Sequence, residues 1–201
     1  MQTREKAYGE NHKLTLIDKF GIYWSHSKII KIAKSFREPV HCLDIGYDAK
    51  LLNSLQPYIE NGFGIDVSIS PDLKDLPKLK FIETSIETGL SQVSTKLFNF
   101  IVMNSVLEHL SDHLSTLHWS YKHLNENGIL LINVPTWLGK EFLEFSAFKL
   151  GLSPKYEMDD HKMYYDKKDL WPLLVKAGFK PSKISMKYHK FGLNLFCKTI
   201  K

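Results

Sequence analysis

The chain has 201 residues, 43% of them hydrophobic, which is enough for a single domain to bury a core without disulfide support. Its net charge of +5 suits an anionic partner, but the lysines are dispersed, so nucleic acid is not the expected one. No run reaches the ~18 apolar residues of a membrane span, the first residues lack the apolar core of a signal peptide, and Cys42 and Cys197 lie far apart in apolar runs, which argues against a disulfide framework and for a reduced, cytoplasmic setting.

Residues 1–39 read as an N-terminal helical cap. Ile22, Ile29, Ile30, Ala33 and Phe36 share one face, with Lys28, Lys31, Lys34 and Arg37 outside and Tyr23 and Trp24 beside them. Such a helix either covers the domain or makes a peripheral membrane contact. Short β-rich runs follow at 41–46, 62–67, 79–83, 98–103 and 128–134, each bounded by turn residues. Between them, Leu51, Leu52, Leu55 and Ile59 form a short helical stripe. Leu107, Leu110, Leu114, Leu117, Tyr121 and Leu124 form one of nearly five turns. This alternation predicts an α/β sheet with parallel strands.

The stretch 136–165 exceeds a simple connection and reads as a substrate-side lid. Its Trp137, Phe142, Phe145 and Phe148 supply either an apolar wall for a substrate or the seam of a homodimer, so monomer and dimer both stay open. Leu170, Leu173, Leu174 and Ala177 form a further helix, with Asp169 as its expected cap, Pro172 in its first turn and Gly178 at its end. Two strand-like runs around Phe191-Gly192 then predict an antiparallel hairpin. No repeat or linker divides the chain, so 1–201 reads as one domain.

In an open α/β sheet, ligands bind at the carboxyl ends of the strands. Those ends are Asp44-Ile45-Gly46, Asp66-Val67, Thr84-Ser85 and Asn104-Ser105. Asp66 stands about twenty residues beyond the first turn, where a carboxylate accepts hydrogen bonds from the two hydroxyls of a ribose; its other role is to cap the following turn. A nicotinamide cofactor is disfavoured because the first turn lacks a G-x-G-x-x-G loop.

From Val40 onward the sequence resembles the class I S-adenosylmethionine-dependent methyltransferases. "CLDIG" is similar to their first motif, "GIDVS" to the second, "FNFIVMNSVLEHLSD" to the fourth-strand motif and "LNENGILLINVPT" to the strand after it. "HKMYYDKKDLWPLLVKAGF" is similar to their late His-aromatic element. The resemblance implies a Rossmann-like sandwich: a mostly parallel seven-stranded sheet, an antiparallel C-terminal strand and helices on both faces. It also implies S-adenosylmethionine as cofactor and S-adenosylhomocysteine as product. The cofactor would lie against Asp44, Gly46, Tyr47, Asp48, Asp66, Val67, Ser85, Ile86, Asn104 and Ser105.

The first motif departs from the family at Tyr47, Asp48 and Lys50, which stand where small residues and glycines are expected. An altered loop serves if Asp44 or Asp48 meets the ammonium of the cofactor and Lys50 its carboxylate. Otherwise the chain is a catalytically inactive, methyltransferase-like binding or scaffold protein. Ser85 also stands where an acidic contact to the adenine is common.

On the acceptor side, the family's late element points to His161 as general base or as a structural histidine, with Tyr164 and Tyr165 shaping the acceptor. Glu108 and His109 border the pocket or pack the start of a helix. Asp159-Asp160-His161 contains competent metal ligands, but adjacent side chains point different ways, and no metal site is expected. The expected acceptor is an oxygen or nitrogen of a small molecule or of a glycan or cell-envelope precursor.

Overall fold

The computed structural model describes residues 16–68, 77–149 and 161–201. The strands are β1 (Val40–Ile45), β2 (Ile59–Asp66), β3 (Leu79–Glu83), β4 (Phe98–Asn104), β5 (Leu124–Pro135), β6 (Ile184–His189) and β7 (Asn194–Ile200). The helices are α1 (Leu16–Ala33), α2 (Ala49–Leu55), α3 (Ile86–Gln92), α4 (His113–His123), α5 (Trp137–Lys149) and α6 (Lys167–Ala177). The strands make one seven-stranded sheet in the order β3-β2-β1-β4-β5-β7-β6. β1 through β5 pair in parallel; β7 runs antiparallel to β6, as the hairpin at Phe191-Gly192 requires, and is inserted antiparallel to β5 as well.

Alternation along the strands divides the core between the two faces of the sheet. Cys42, Phe100, Val102 and Leu131 meet Ile29 and Ala33 of α1 and Leu51, Leu52 and Leu55 of α2. Leu43, Ile101, Leu130 and Cys197 meet Leu90 of α3, Leu117 of α4 and Leu170 and Leu174 of α6. The two cysteines are therefore buried on opposite faces and remain free thiols. Burial pushes both thiols up, Cys197 to about 12. Phe100 is fully buried with its ring 5.8 Å from that of Phe36. Phe100→Ala is expected to cost about 3–5 kcal/mol in a urea melt; a loss below about 1 kcal/mol would show that α1 and α2 do not close tightly on this face.

Several element boundaries differ from the sequence expectation, each for a local reason. Ile59 belongs to β2, which begins there and not at residue 62. β5 likewise begins at Leu124, the last member of the long leucine stripe. That stripe is not one helix. Leu107–His109 is a single 3₁₀ turn, Leu110 is extended, and α4 starts afresh where the Asp112 carboxylate accepts the Ser115 N–H at 2.9 Å. The cap of α6 is Asp166, not Asp169, so Pro172 lies inside the helix. The Asp169 carboxylate instead accepts the Asp166 N–H at 2.9 Å and the Trp137 indole N–H at 3.0 Å. Gly178 ends this helix in the left-handed region, φ 118°, as expected.

α1 occupies the N-terminal region read as a helical cap, and the region read as a lid begins as α5. The remainder of the lid, the side chains of Phe145 and Phe148, and Asp159-Asp160 lie outside the described residues. No helix among the described residues is long and apolar enough to cross a membrane.

Candidate functional site

β1 lies between β2 and β4, the point from which the chain builds the sheet in opposite directions. A crevice opens at the carboxyl ends of strands on either side of such a point. The turn leaving β1 is fixed by Gly46, whose φ of 67° favours glycine and whose N–H donates to the Ile65 carbonyl at 2.8 Å. A Cβ at this position would come within 2.2 Å of Val106 Cγ2, so the turn after β1 packs directly against the turn after β4.

Asp44 is fully buried at this turn. Its Oδ2 accepts the Asp48 N–H at 3.2 Å, while its Oδ1 is buried with no hydrogen-bond partner among the described residues. Burial raises the carboxyl well above its ordinary value. The Asp48 N–H opposes the rise, and the charges of Asp48 and Asp66 add to it. A buried acceptor atom left in this state is complementary to a cationic ligand group.

The unusual residues that follow adopt roles that do not need glycine. None of Tyr47, Asp48, Ala49 and Lys50 has a positive φ. Tyr47 turns into the core against Phe81, with ring centroids 5.3 Å apart, so its side chain packs under the loop. Asp48 caps α2, accepting the N–H groups of Lys50 (2.8 Å) and Leu51 (3.0 Å), and lies 3.1 Å from His26 Nε2 of α1. Burial alone would raise the Asp48 carboxyl. The hydrogen bond and charge of His26 and the backbone N–H groups of Leu51 and Lys50 outweigh it and hold the group below its ordinary value. Asp48 is thus engaged by the protein, and of the two carboxylates expected near an ammonium, Asp44 has the open acceptor atom. Lys50 is exposed on α2 and does not obstruct the turn.

Around this turn stand the other expected residues. Asp66 ends β2, half-buried, and accepts the Val67 N–H at 2.6 Å. Ser85 caps α3 through the Thr88 N–H at 3.3 Å and donates to Thr88 Oγ1 at 3.0 Å, and Ile86 opens that helix. Asn104 ends β4 and accepts the side-chain N–H of Asn133 at 2.9 Å. Ser105 takes a φ of 61° while its N–H donates to the Asn133 carbonyl at 2.8 Å. A non-glycine residue held there stores about 1–3 kcal/mol of strain, which is common where a backbone shapes a ligand pocket.

A second group forms just beyond β4. The Lys162 N–H donates to the Glu108 carbonyl at 2.8 Å and the Tyr165 N–H to the Pro135 carbonyl at 3.0 Å, which clamps the 161–165 segment to the strand ends. The clamp brings the His161 ring within 4.7 Å of the His109 ring, and places the Tyr164 hydroxyl 3.0 Å from His161 Nδ1. Tyr164 and Tyr165 are buried. Burial, followed by the charges of Glu144 and Glu108, raises the Tyr164 hydroxyl above its ordinary value. Glu108, His109 and His161 also offer ligand atoms that all lie within 4.8 Å of one another, so they are able to hold a cation. A groove between α6 and β6, lined by Lys167, Trp171 and Met186 among others, shares none of these residues.

Sequence reasoning missed His26, Val106 and Asn133. His26 carried a signal, since it lies at helical spacing between Ile22 and Ile29 on the face assigned to the sheet. Val106 and Asn133 carried none, because their roles depend on which strands are neighbours.

A model of the methyltransferase-domain family matches residues 23–183. No curated protein matches the chain in sequence. Among solved structures, magnesium protoporphyrin IX methyltransferase from Synechocystis, with bound S-adenosylhomocysteine, superposes with a TM-score of 0.65 at 15% identity, covering 95% of this chain and 89% of that one. The N-methyltransferase NodS from Bradyrhizobium japonicum, also with S-adenosylhomocysteine, gives 0.60 at 16% identity, covering 93% and 88%. The CurJ carbon methyltransferase gives 0.66 at 14% identity, covering 94% of this chain but only 56% of that one. At these identities the structures show a shared fold. The family match covers most of the chain and includes the strand ends described above, and on that ground the chain belongs to the methyltransferase-domain family, as a class I S-adenosylmethionine-dependent methyltransferase.

Proposed function

We propose that this chain binds S-adenosylmethionine at the β1–β4 crevice and methylates an oxygen or nitrogen of a small molecule or of a glycan or cell-envelope precursor. The observation that carries the reading is the buried Asp44 Oδ1 at the switch point of the sheet, which has no hydrogen-bond partner among the described residues. Asp44 fits the ammonium of the cofactor, Asp66 its ribose hydroxyls, Gly46 the close passage of backbone, and Ser85 with the start of α3 its adenine. The bound cofactor supplies a methyl group on a sulfonium, an electrophile that needs an acceptor lone pair in line with it.

The protein's part is chiefly to hold that line. Ser105 and Asn104 fix the floor of the crevice. His161, Tyr164 and His109 border the acceptor and the path by which its proton leaves. Trp137, 5.7 Å from the Tyr164 ring and hydrogen-bonded to Asp169, braces Tyr164 from α5.

Titration calorimetry with S-adenosylmethionine and S-adenosylhomocysteine tests this directly. Both should bind, and Asp66→Ala should weaken them at least about tenfold, since a hydrogen bond to a charged acceptor contributes about 1.5–3 kcal/mol. Absence of heat and of thermal stabilisation by either ligand would leave the inactive binding-protein reading in its place.

A further inference from the structure

We propose that Glu108, His109 and His161 form a divalent-cation site on the acceptor side of the pocket. Its role in catalysis rests on the methyl-transfer reading, but its existence does not. Two imidazoles and a carboxylate make a mixed nitrogen and oxygen donor set suited to Mn²⁺, Co²⁺, Fe²⁺ or Zn²⁺. The donor atoms already lie within 4.8 Å of one another. Metal–ligand bonds of about 2.0–2.2 Å place two ligand atoms at most about 4.4 Å apart, so closing the site takes side-chain shifts of only some tenths of an ångström.

The surroundings are built as a ligand shell is. Glu108 is buried at 1% exposure on the turn after β4, whereas His109 and His161 are half-buried, which leaves the cluster open on one side. The backbone bond from Lys162 to Glu108 fixes the two segments that carry the donors against each other. The Tyr164 hydroxyl engages His161 Nδ1 at 3.0 Å, which orients the ring; a hydrogen-bond partner on one ring nitrogen is the usual arrangement for a histidine that binds metal through the other. Tyr164 is itself 5% exposed with its ring 5.7 Å from that of Trp137, so its hydroxyl is held in place against His161 by packing.

A cation held by three protein atoms keeps positions for an acceptor. It would draw in an acceptor carrying two neighbouring oxygens, such as a vicinal diol or a hydroxy acid, and a hydroxyl bound there loses its proton to water more readily. The cluster follows Asn104-Ser105 in the chain, and Val106 packs on the cofactor turn, so the site adjoins the crevice without using any residue assigned to the cofactor.

The test is titration of tag-free, chelator-treated protein with Co²⁺ followed by visible absorption, and with Mn²⁺ followed by electron paramagnetic resonance. One equivalent should bind. His161→Ala and His109→Ala should each weaken binding more than about tenfold, and Tyr164→Phe by about ten- to a hundredfold. The half-buried histidines serve because Glu108→Gln alters a buried group and can unfold the turn. Absence of stoichiometric binding, or binding unchanged in both histidine variants, overturns the proposal. Calorimetry with S-adenosylhomocysteine on the same samples separates the two readings: cofactor binding without Co²⁺ binding sinks only the cation site. Co²⁺ binding without cofactor binding sinks the catalytic role and leaves the cation site standing.

Discussion

Asp44→Asn is expected to raise the melting temperature of the ligand-free chain at neutral pH while removing most of its affinity for S-adenosylmethionine. The carboxyl of Asp44 is held well above its ordinary value, first by burial and then by the charges of Asp48 and Asp66. A group whose value rises on folding adds stability at low pH, and that stability is lost as pH climbs through the folded value. The two proteins should therefore melt alike near pH 4, and the variant should gain an advantage as pH rises toward 8. Asparagine keeps an oxygen that can accept the Asp48 N–H now bound by Oδ2, so the turn need not be lost. The cofactor's ammonium, however, loses a buried charge partner, a change of about 2–5 kcal/mol or on the order of 30- to several-thousandfold in affinity. Unchanged binding would remove Asp44 from the cofactor site, and a melting difference that does not vary with pH would show that folding does not raise its carboxyl. On the expected result the same charge is destabilising alone and useful only with a ligand, a trade-off common at binding sites.

The strand ends were legible in the sequence because each announces itself locally. An apolar run closes on Asp44-Ile45-Gly46, Asp66 or Asn104-Ser105, and the sheet places these ends around one switch point. The hairpin at Phe191-Gly192 was legible because two strand-like runs flank a tight connection, whereas the positive φ of Lys190 and Phe191 within it had no sequence signal. Periodicity failed where a cap intervened. Leu107 and Leu124 fit a helical stripe in spacing, yet Asp112 restarts the chain between them and places one in a 3₁₀ turn and the other in β5. Pattern alone cannot register such a break, because both residues are buried either way.

The site itself was only half legible. The departures at Tyr47, Asp48 and Lys50 looked damaging in one dimension, since glycines were expected. In three dimensions Tyr47 packs into the core, Asp48 caps α2 and meets His26, and Lys50 is exposed. The cation cluster was invisible for a different reason. Asp159-Asp160-His161 are adjacent in sequence, whereas the backbone clamp brings His161 to Glu108 and His109 from far along the chain.

Gly46→Ala should show that the two halves of the pocket form one mechanical unit. Alanine at φ 67° costs about 1–2 kcal/mol in backbone conformation alone. Its Cβ would also lie 2.2 Å from Val106 Cγ2, and overpacking of this kind costs about 1–3 kcal/mol. Relief requires Val106 to move, and Val106 joins the strained Ser105 to the turn that carries Glu108 and His109. The variant should therefore lose stability by about 2–5 kcal/mol, together with cofactor affinity, through a displacement that begins at the cofactor turn and ends on the acceptor side. Adding Val106→Ala should recover the steric part but not the conformational part, so the double variant should melt above Gly46→Ala and below Val106→Ala. If Gly46→Ala instead melts within a degree or two of the parent and binds S-adenosylhomocysteine as tightly, the turn after β1 does not pack on the turn after β4, and the coupling between cofactor and acceptor sides must run through another contact.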